Sequence, residues 1–430
     1  MTASSESVSA DFPKHTPTDP SVRRTILMLG MVSMSSSMSM RIADPMLPDL
    51  ARSFGGAPTD MAGVAIYFSL AYASLILIQG PLGDRLGKLQ IIQWSCMVAA
   101  AASLACALAP DLATLNAFRF INGAACAGLI PLSLAWIGDK VPLERRQQTL
   151  ARFASAAIFG LILGQICGGI MTDTVGWRWA FVPPALAYLT AGAALLSRRK
   201  EAPQGAAGGL PPPGLGDTIR QTMGHYRLLF INPWARIVML CVSLEGALYF
   251  SAVAFIPSYL HQSTGIALWR AGLIVGFIGI GGLVFSAASK PIVSRFGLIG
   301  GARLGGGLCA AGLMTVIAGV LLSGPAGWSL VCFGCGIIGF GFTMLHNTLQ
   351  THGTQMLPQA RGTAIAGFVM GLFSGQAAGV ALTAQVIPHA GYDITLGALG
   401  LGLALLGLVY ASKLKARESE SMAYNAKGRT

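Results

Sequence analysis

Arg41, Asp44, Arg119, Glu245, His346 and Asn347 stand inside long apolar stretches of this 430-residue chain. Tyr249 follows Glu245 by one helical turn, and Gln350 follows His346 by one turn. Ionisable side chains in such surroundings are costly, and they face a cavity or a partner. There they can exchange protons, pair with one another or hold a polar ligand. Proton exchange needs a group that changes charge near the working pH, which a carboxylate or imidazole can do and a guanidinium cannot. Glu245 is the first candidate, because no cation stands near it in the sequence. Asp44 is the second, because Arg41, three residues earlier on the same helical face, can hold it ionised. The competing reading is structural, with Arg41–Asp44 and Arg119–Glu245 as fixed ion pairs. His346 could relay protons, bind a ligand, or be an ordinary hydrogen-bonded histidine.

The elements that carry these residues follow from composition. The chain is 53% hydrophobic and only 11% charged, whereas a soluble domain has about 25% charged residues. Too few charges remain to cover a water-soluble surface. Disorder, a secreted disulfide scaffold and an ordinary cytosolic enzyme are excluded, and lipid is the main solvent. The 8 cysteines all fall in apolar runs and read as packing residues, the Cys332/Cys335 pair included.

A helix needs about 20 apolar residues to cross a bilayer. Twelve such runs are expected: 25–48, 61–81, 90–110, 114–138, 152–172, 178–197, 235–260, 269–289, 301–323, 327–349, 362–386 and 393–411. Pro45 and Pro48 should end or kink the first. Its serines at 33, 35, 36, 37 and 39 unsuit it to lipid on every side, so it should line an aqueous cavity. The first 24 residues carry no apolar core of a cleaved signal, so span 1 itself should direct insertion.

The net charge of +12 is laid out asymmetrically. Arg23, Arg24, Arg85, Lys88, Lys140, Arg145, Arg146, Arg198, Lys290, Arg295, Arg361 and Lys413 fall on one side, while the other side receives only Arg52, Arg178 and Arg270. The positive-inside rule then puts both termini in the cytoplasm, and the even number of spans agrees. Nucleic-acid binding is the poorer explanation of this charge. Residues 198–233 form the longest polar insert, Pro/Gly-rich at first and able to form a short surface helix over 216–230. The expected organisation is a tail (1–24), a six-helix bundle (25–197), a linker (198–233), a second six-helix bundle (234–411) and a tail (412–430).

The two halves repeat. Gly80-Pro-Leu-Gly-Asp84-Arg85-Leu-Gly87-Lys88 between spans 2 and 3 matches Lys290-Pro-Ile-Val-Ser294-Arg295-Phe-Gly297 between spans 8 and 9. Gly160, Gly164, Gln165 and Gly168 in span 5 match Gly371, Gly375, Gln376 and Gly379 in span 11. Duplicated halves place a binding site at their interface, near mid-membrane, with alternating access. The glycine rows allow helices to pack backbone to backbone or to bend.

These motifs make the chain similar to the major facilitator superfamily over residues 22 to 412. Gly80–Lys88 resembles the loop 2–3 motif GxxxDRxGR, with Leu89 and Gln90 replacing part of its basic tail. Arg119-Phe-Ile-Asn122-Gly123 resembles the span 4 RxxxG motif. Asp139 to Arg146 resembles the acidic/basic loop that follows, and Trp177-Arg178-Trp179-Ala-Phe181 the span 5–6 signature. Gly160 to Gly169 resembles the GxxxGPxxGG motif of the drug/proton antiporter branch, with Gln165 where proline is usual. The resemblance implies an all-α membrane protein of twelve helices in two pseudo-symmetric bundles. It implies an inner-side latch at Gly80, Asp84, Arg85, Gly87 and Lys88, weaker in the second copy where Ser294 replaces the acid. It makes spans 1, 4, 7 and 10 the cavity-lining helices, which are the four that carry Arg41, Asp44, Arg119, Glu245, Tyr249, His346, Asn347 and Gln350.

Three functions are open at this stage. Proton-coupled efflux of a drug-like or small metabolite molecule is favoured by the span 5 motif and Glu245. Proton-coupled uptake of an organic anion would use Arg41 and Arg119. A membrane enzyme or receptor is disfavoured, because HExxH, GxSxG and GxxxxGK[ST] are all absent. No cofactor or metal is called for, a monomer suffices, and a bacterial inner membrane is the expected location.

Overall fold

The computed structural model describes residues 20–196, 224–322 and 324–427, apart from the side chains of Asp84, Leu143, Glu144 and those from 420 onward. All regular structure among the described residues is helical. Ten helical segments are long and apolar enough to cross a membrane. Spans 1 to 7 are Pro20–Phe54, Asp60–Gly83, Lys88–Ala107, Leu112–Lys140, Arg145–Thr174, Trp177–Leu196 and Pro233–Thr264. Next come Leu268–Leu322, Gly324–Gly353 and Pro358–Ser419. The 55 residues of Leu268–Leu322 would run about 80 Å as one helix, against about 30 Å of hydrocarbon. The helix in fact breaks at Gly297 (φ 61°), and the last segment breaks at Gly391 (φ 77°). These breaks yield spans 8 and 9, span 10 (Gly324–Gly353), and spans 11 and 12, twelve crossings among the described residues. Gly87, the counterpart of Gly297, breaks the chain between spans 2 and 3 in the same way (φ 96°). Only glycine takes such a φ without strain.

Span 1 is helical to Arg41, then passes through a 3₁₀ turn at Asp44–Met46 into Leu47–Phe54. Pro45 has no N–H to give and ends the first helix, as its place in the sequence suggests. Span 4 consists of Leu112–Cys126 and Leu129–Lys140. Its start is capped by Asp111, which accepts the Thr114 N–H at 2.8 Å. That bond holds the Asp111 carboxyl below the usual carboxylate range. Of the polar insert, 224–231 are helical, and 198–223 lie outside the described residues.

Spans 1–6 and 7–12 form two bundles, each around its own apolar core. The glycine rows do the same work in both. A Cβ on Gly160, Gly164 or Gly168 would fall 2.2–2.5 Å from the carbonyl oxygens of Met34, Met38 and Ile42 in span 1. A Cβ on Gly375 or Gly379 would fall 1.8 and 2.3 Å from those of Ser243 and Ala247 in span 7. Spans 5 and 11 therefore lie backbone to backbone on spans 1 and 7, the closest approach two helices can make.

The bundles meet at the end away from the Arg- and Lys-rich loops. Met46, Leu47 and Leu50 pack there in one apolar cluster with Phe255, Val380 and Ile387. The Trp269 N–H donates to the Asp173 carboxylate at 2.6 Å, joining span 8 to span 5. Nearer the middle, Tyr72 of span 2 stacks on Phe373 of span 11, with ring centroids 4.0 Å apart. At the basic ends, spans 5 and 8 instead present the exposed residues Arg152, Ser155, Ser286 and Lys290. This arrangement is shut at the end opposite the basic loops.

Gly272 sits at that closure, where an added Cβ would meet the Gln165 carbonyl oxygen at 2.3 Å. Gly272→Val should push the halves apart there and leave each bundle folded. Spin labels at positions 174 and 270, in a background without native cysteines, should report a longer separation than in the parent. An unchanged distance distribution would count against this seal.

Candidate functional site

Glu245 of span 7 is fully buried, and its Oε2 lies 2.8 Å from the Nδ1 of His346 in span 10. The two residues are 101 positions apart. Span 7 brings Glu245 inward because Val238, Val242 and Tyr249 share its buried stripe. Span 10 carries His346 beside the buried Leu345 and Leu349. The His346 side chain retains 20% exposure, so the pair has one enclosed member and one that reaches the surface. Glu245 Oε1 has no partner among the described residues. Phe342 and Phe368 flank the imidazole at 5.2 and 5.5 Å between ring centroids. Tyr249 stacks face to face on Phe342 at 3.6 Å. Asn347 is half-buried and Gln350 exposed, and neither joins the Glu245 pair by a hydrogen bond.

A second buried acid lies in the other bundle. Asp44 accepts from Arg41 Nη1 at 3.2 Å and from Gln165 Nε2 at 2.9 Å. Gln165, in the place usual for proline, thus supplies the donor that secures Asp44 across spans 1 and 5. Gln376 is equally buried, and the Oε1 of both glutamines has no partner among the described residues. The Arg41 guanidinium also lies over the ring of Phe250, 4.4 Å from its centroid, so it reaches from the first bundle to the second. Its Nη2 has no hydrogen-bond acceptor among the described residues. Removing one member of a buried ion pair costs about 3–5 kcal/mol. Asp44→Ala and Asp44→Asn, which both leave the Arg41 charge unpaired, should therefore lower the unfolding midpoint in detergent well below the parent's. Midpoints equal to the parent's in both variants would show that the pair carries no such weight.

Arg119 is not paired with Glu245. It is fully enclosed in the first bundle, where Nε donates to Val64 O at 3.0 Å and Nη1 to Ser39 O at 3.1 Å. Its guanidinium covers Phe68, 4.4 Å from the ring centroid. Asn122, three residues on, accepts from Ser39 Oγ at 2.7 Å and donates to Ala99 O at 2.9 Å. The span 4 motif thus ties spans 1, 2, 3 and 4 together. Asn122 is the functional-looking residue that sequence reasoning undervalued. Its signal was present, since an asparagine one turn from an arginine in an apolar run needs partners.

Of the loop 2–3 motif, the Asp84 side chain lies outside the described residues, and Arg85 is exposed. Lys88 Nζ contacts Asp139 Oδ2 at 3.0 Å, which joins the loop to the end of span 4 within the same half. Beside it, the basic halves of spans 1 and 5 enclose a cavity of about 970 Å³, with Arg23 and Arg152 among its lining residues. All eight cysteines are free.

Two repeated helical bundles with charged groups buried among their membrane-crossing helices define a membrane transport protein. Residues 29–380 match the Major Facilitator Superfamily, and the chain belongs to that superfamily, whose members are transporters and not enzymes. It is similar to the multidrug export protein EmrB of Escherichia coli K12, 26% identical over 315 residues, 62% of this chain and 60% of that protein. The chain thus matches less than two thirds of that relative's length. It is 30% identical to the fatty acid resistance protein FarB of Neisseria gonorrhoeae over 155 residues, 36% of this chain and 31% of that one. It is also similar to the uncharacterized MFS-type transporter YwfA of Bacillus subtilis, 24% identical over 86% of both chains. Among solved structures, a bacterial homolog of the human lysosomal transporter Spinster, inward-facing and unoccupied, superposes with TM-score 0.68 at 16% identity, covering 92% of this chain and 94% of that one. A POT family transporter in complex with 5-aminolevulinic acid gives TM-score 0.70 at 14% identity, covering 91% and 95%.

Proposed function

We propose that this chain exports drug-like or small metabolite molecules by alternating access, in exchange for protons entering the cell. One observation carries the reading. Glu245 is a fully buried carboxylate whose hydrogen-bond partner among the described residues is His346, an imidazole and so a side-chain type that can exchange a proton with it. Asp44, by contrast, is held by a guanidinium, which keeps its proton at any physiological pH. Proton exchange therefore runs through Glu245 and His346, and Arg41–Asp44–Gln165 serves as a fixed brace beside the substrate path. Residues 25–197 and 234–411 rock as units, with Gly80–Lys88 as the latch between them at the basic ends. Those ends and both termini face the cytoplasm of a bacterial inner membrane, and a monomer performs the cycle. The name of the EmrB relative, a multidrug export protein, supports export as the direction.

A second reading has its own support. The unsatisfied Nη2 of Arg41, beside Phe250, would suit a carboxylate carried inward with a proton. Reconstituted vesicles holding a pH dye separate the two. A panel of cationic drugs and organic acids is added in turn. Proton movement opposite to substrate is the expected result, movement with substrate favours anion uptake, and none with any compound overturns proton coupling.

A further inference from the structure

A second pocket opens at the basic end of the second bundle. It measures about 420 Å³ and is lined by Trp234, His352, Gln355, Pro358, Arg361 and Arg417. These residues come from the start of span 7, the end of span 10, the turn before span 11 and the helix after span 12. Among the described residues, two guanidinium groups line it and no carboxylate does. Arg417 lies over the Trp234 ring at 4.2 Å from its centroid, which orients the guanidinium by cation–π attraction. Trp234 meets His352 edge to face at 5.7 Å. The Nε2 of His352 is buried and has no hydrogen-bond partner among the described residues. Tyr410 does not line the pocket but packs against it, fully buried and in ring contact with both Trp234 and His352, and its hydroxyl has no partner among the described residues. Buried polar atoms without partners are rare in native structures and point to a missing ligand or water.

We infer that this pocket binds a phosphate group. Arginine forks match phosphate oxygens bidentately, and the imidazole Nε2 adds a third donor when it carries the hydrogen. A bound anion would draw Arg361 and Arg417 together across the pocket. It would thereby clamp the helix after span 12 onto the basic ends of spans 7 and 10. The phosphate could belong to an inner-leaflet phospholipid or to a soluble ion, and the same experiment separates the two sources.

The whole 430-residue chain in phosphatidylcholine nanodiscs is titrated with inorganic phosphate, and in parallel phosphatidylglycerol is added to the lipid. The unfolding midpoint is followed in the parent, in Arg361→Gln/Arg417→Gln, and in Lys413→Gln/Lys415→Gln, which removes equal charge outside the pocket. The expected result is a rise in midpoint for the parent and the lysine variant. The arginine variant should need at least about tenfold more anion for the same rise. A response to phosphatidylglycerol alone identifies a lipid, and a response to inorganic phosphate identifies a soluble ion. If neither anion shifts the parent, or the arginine variant responds as the parent does, the site is not there. An equal loss in the lysine variant would reduce the effect to general surface charge and overturn it too. The midpoints in phosphatidylcholine alone show that each variant folds.

Discussion

Glu245→Gln should abolish substrate-driven proton movement while leaving the protein folded and able to bind its substrate. Glutamine has the volume of glutamate, and its amide can still meet His346 Nδ1 across the 2.8 Å now spanned by the carboxylate. It cannot take up or release a proton. Loss of a positioned proton-transfer group typically costs 10²–10⁴-fold in rate, so the coupled flux should fall by about two orders of magnitude or more. The measurement is the dye-reported pH change in proteoliposomes, with substrate binding and thermal unfolding followed alongside. Asp44→Asn is the matching control. Its carboxylate is committed to Arg41 and Gln165, so coupling should survive that change even where stability drops. Full proton movement in the Glu245 variant, or its loss only in the Asp44 variant, would transfer the relay to the first bundle.

Gly375→Leu should produce a large loss of stability in the second bundle. The Cβ alone would stand 1.8 Å from the Ser243 carbonyl oxygen, with the carbonyl and α carbons of Ser243 at 2.6 and 2.8 Å. Backbone cannot yield as a side-chain tip can, so span 11 must leave span 7. Overpacking a dense core costs about 1–3 kcal/mol and at times more, and here the whole interface has to open. Gly371, one turn away, is the comparison. Its nearest neighbours are the Val242 Cγ1 at 3.0 Å and the Ser243 Oγ at 3.2 Å, both able to rotate aside. Gly371→Ala should therefore remain near the parent in detergent unfolding, while Gly375→Leu expresses poorly or unfolds early. Similar midpoints for both would mean that span 11 does not lie on span 7 as closely as the structure has it.

The span pattern was legible because it depends on local quantities. Hydrophobic run length, proline and glycine placement, and the side on which arginines fall need no knowledge of packing. The 210-residue repeat was legible for the same reason, and Gly87 and Gly297 agree with it in that both take a positive φ. Even the break at Gly297, which separates two crossings inside one continuous run of helix, followed from the limit that bilayer thickness sets on a helix. The family resemblance covered the region where the superfamily match falls.

Partnerships were not legible. Glu245 and Arg119 looked like a pair because both are charged and both lie on central spans. Helix rotation instead turns Arg119 toward Val64 and Ser39 within its own bundle, and turns Glu245 toward His346. Among the aromatic residues of the spans, Tyr67 is 44% exposed, and Phe255 belongs to the seal between the halves. Trp234 lines the pocket at the basic end. Charge and apolar length along the chain determined where its helical spans fall and which loops share the basic end, because lipid acts on each segment separately. Only the tertiary structure decided which buried acid meets a histidine and which an arginine. That choice depends on the rotation of helices packed glycine to backbone, and a few tens of degrees about a helix axis is enough to exchange one partner for another.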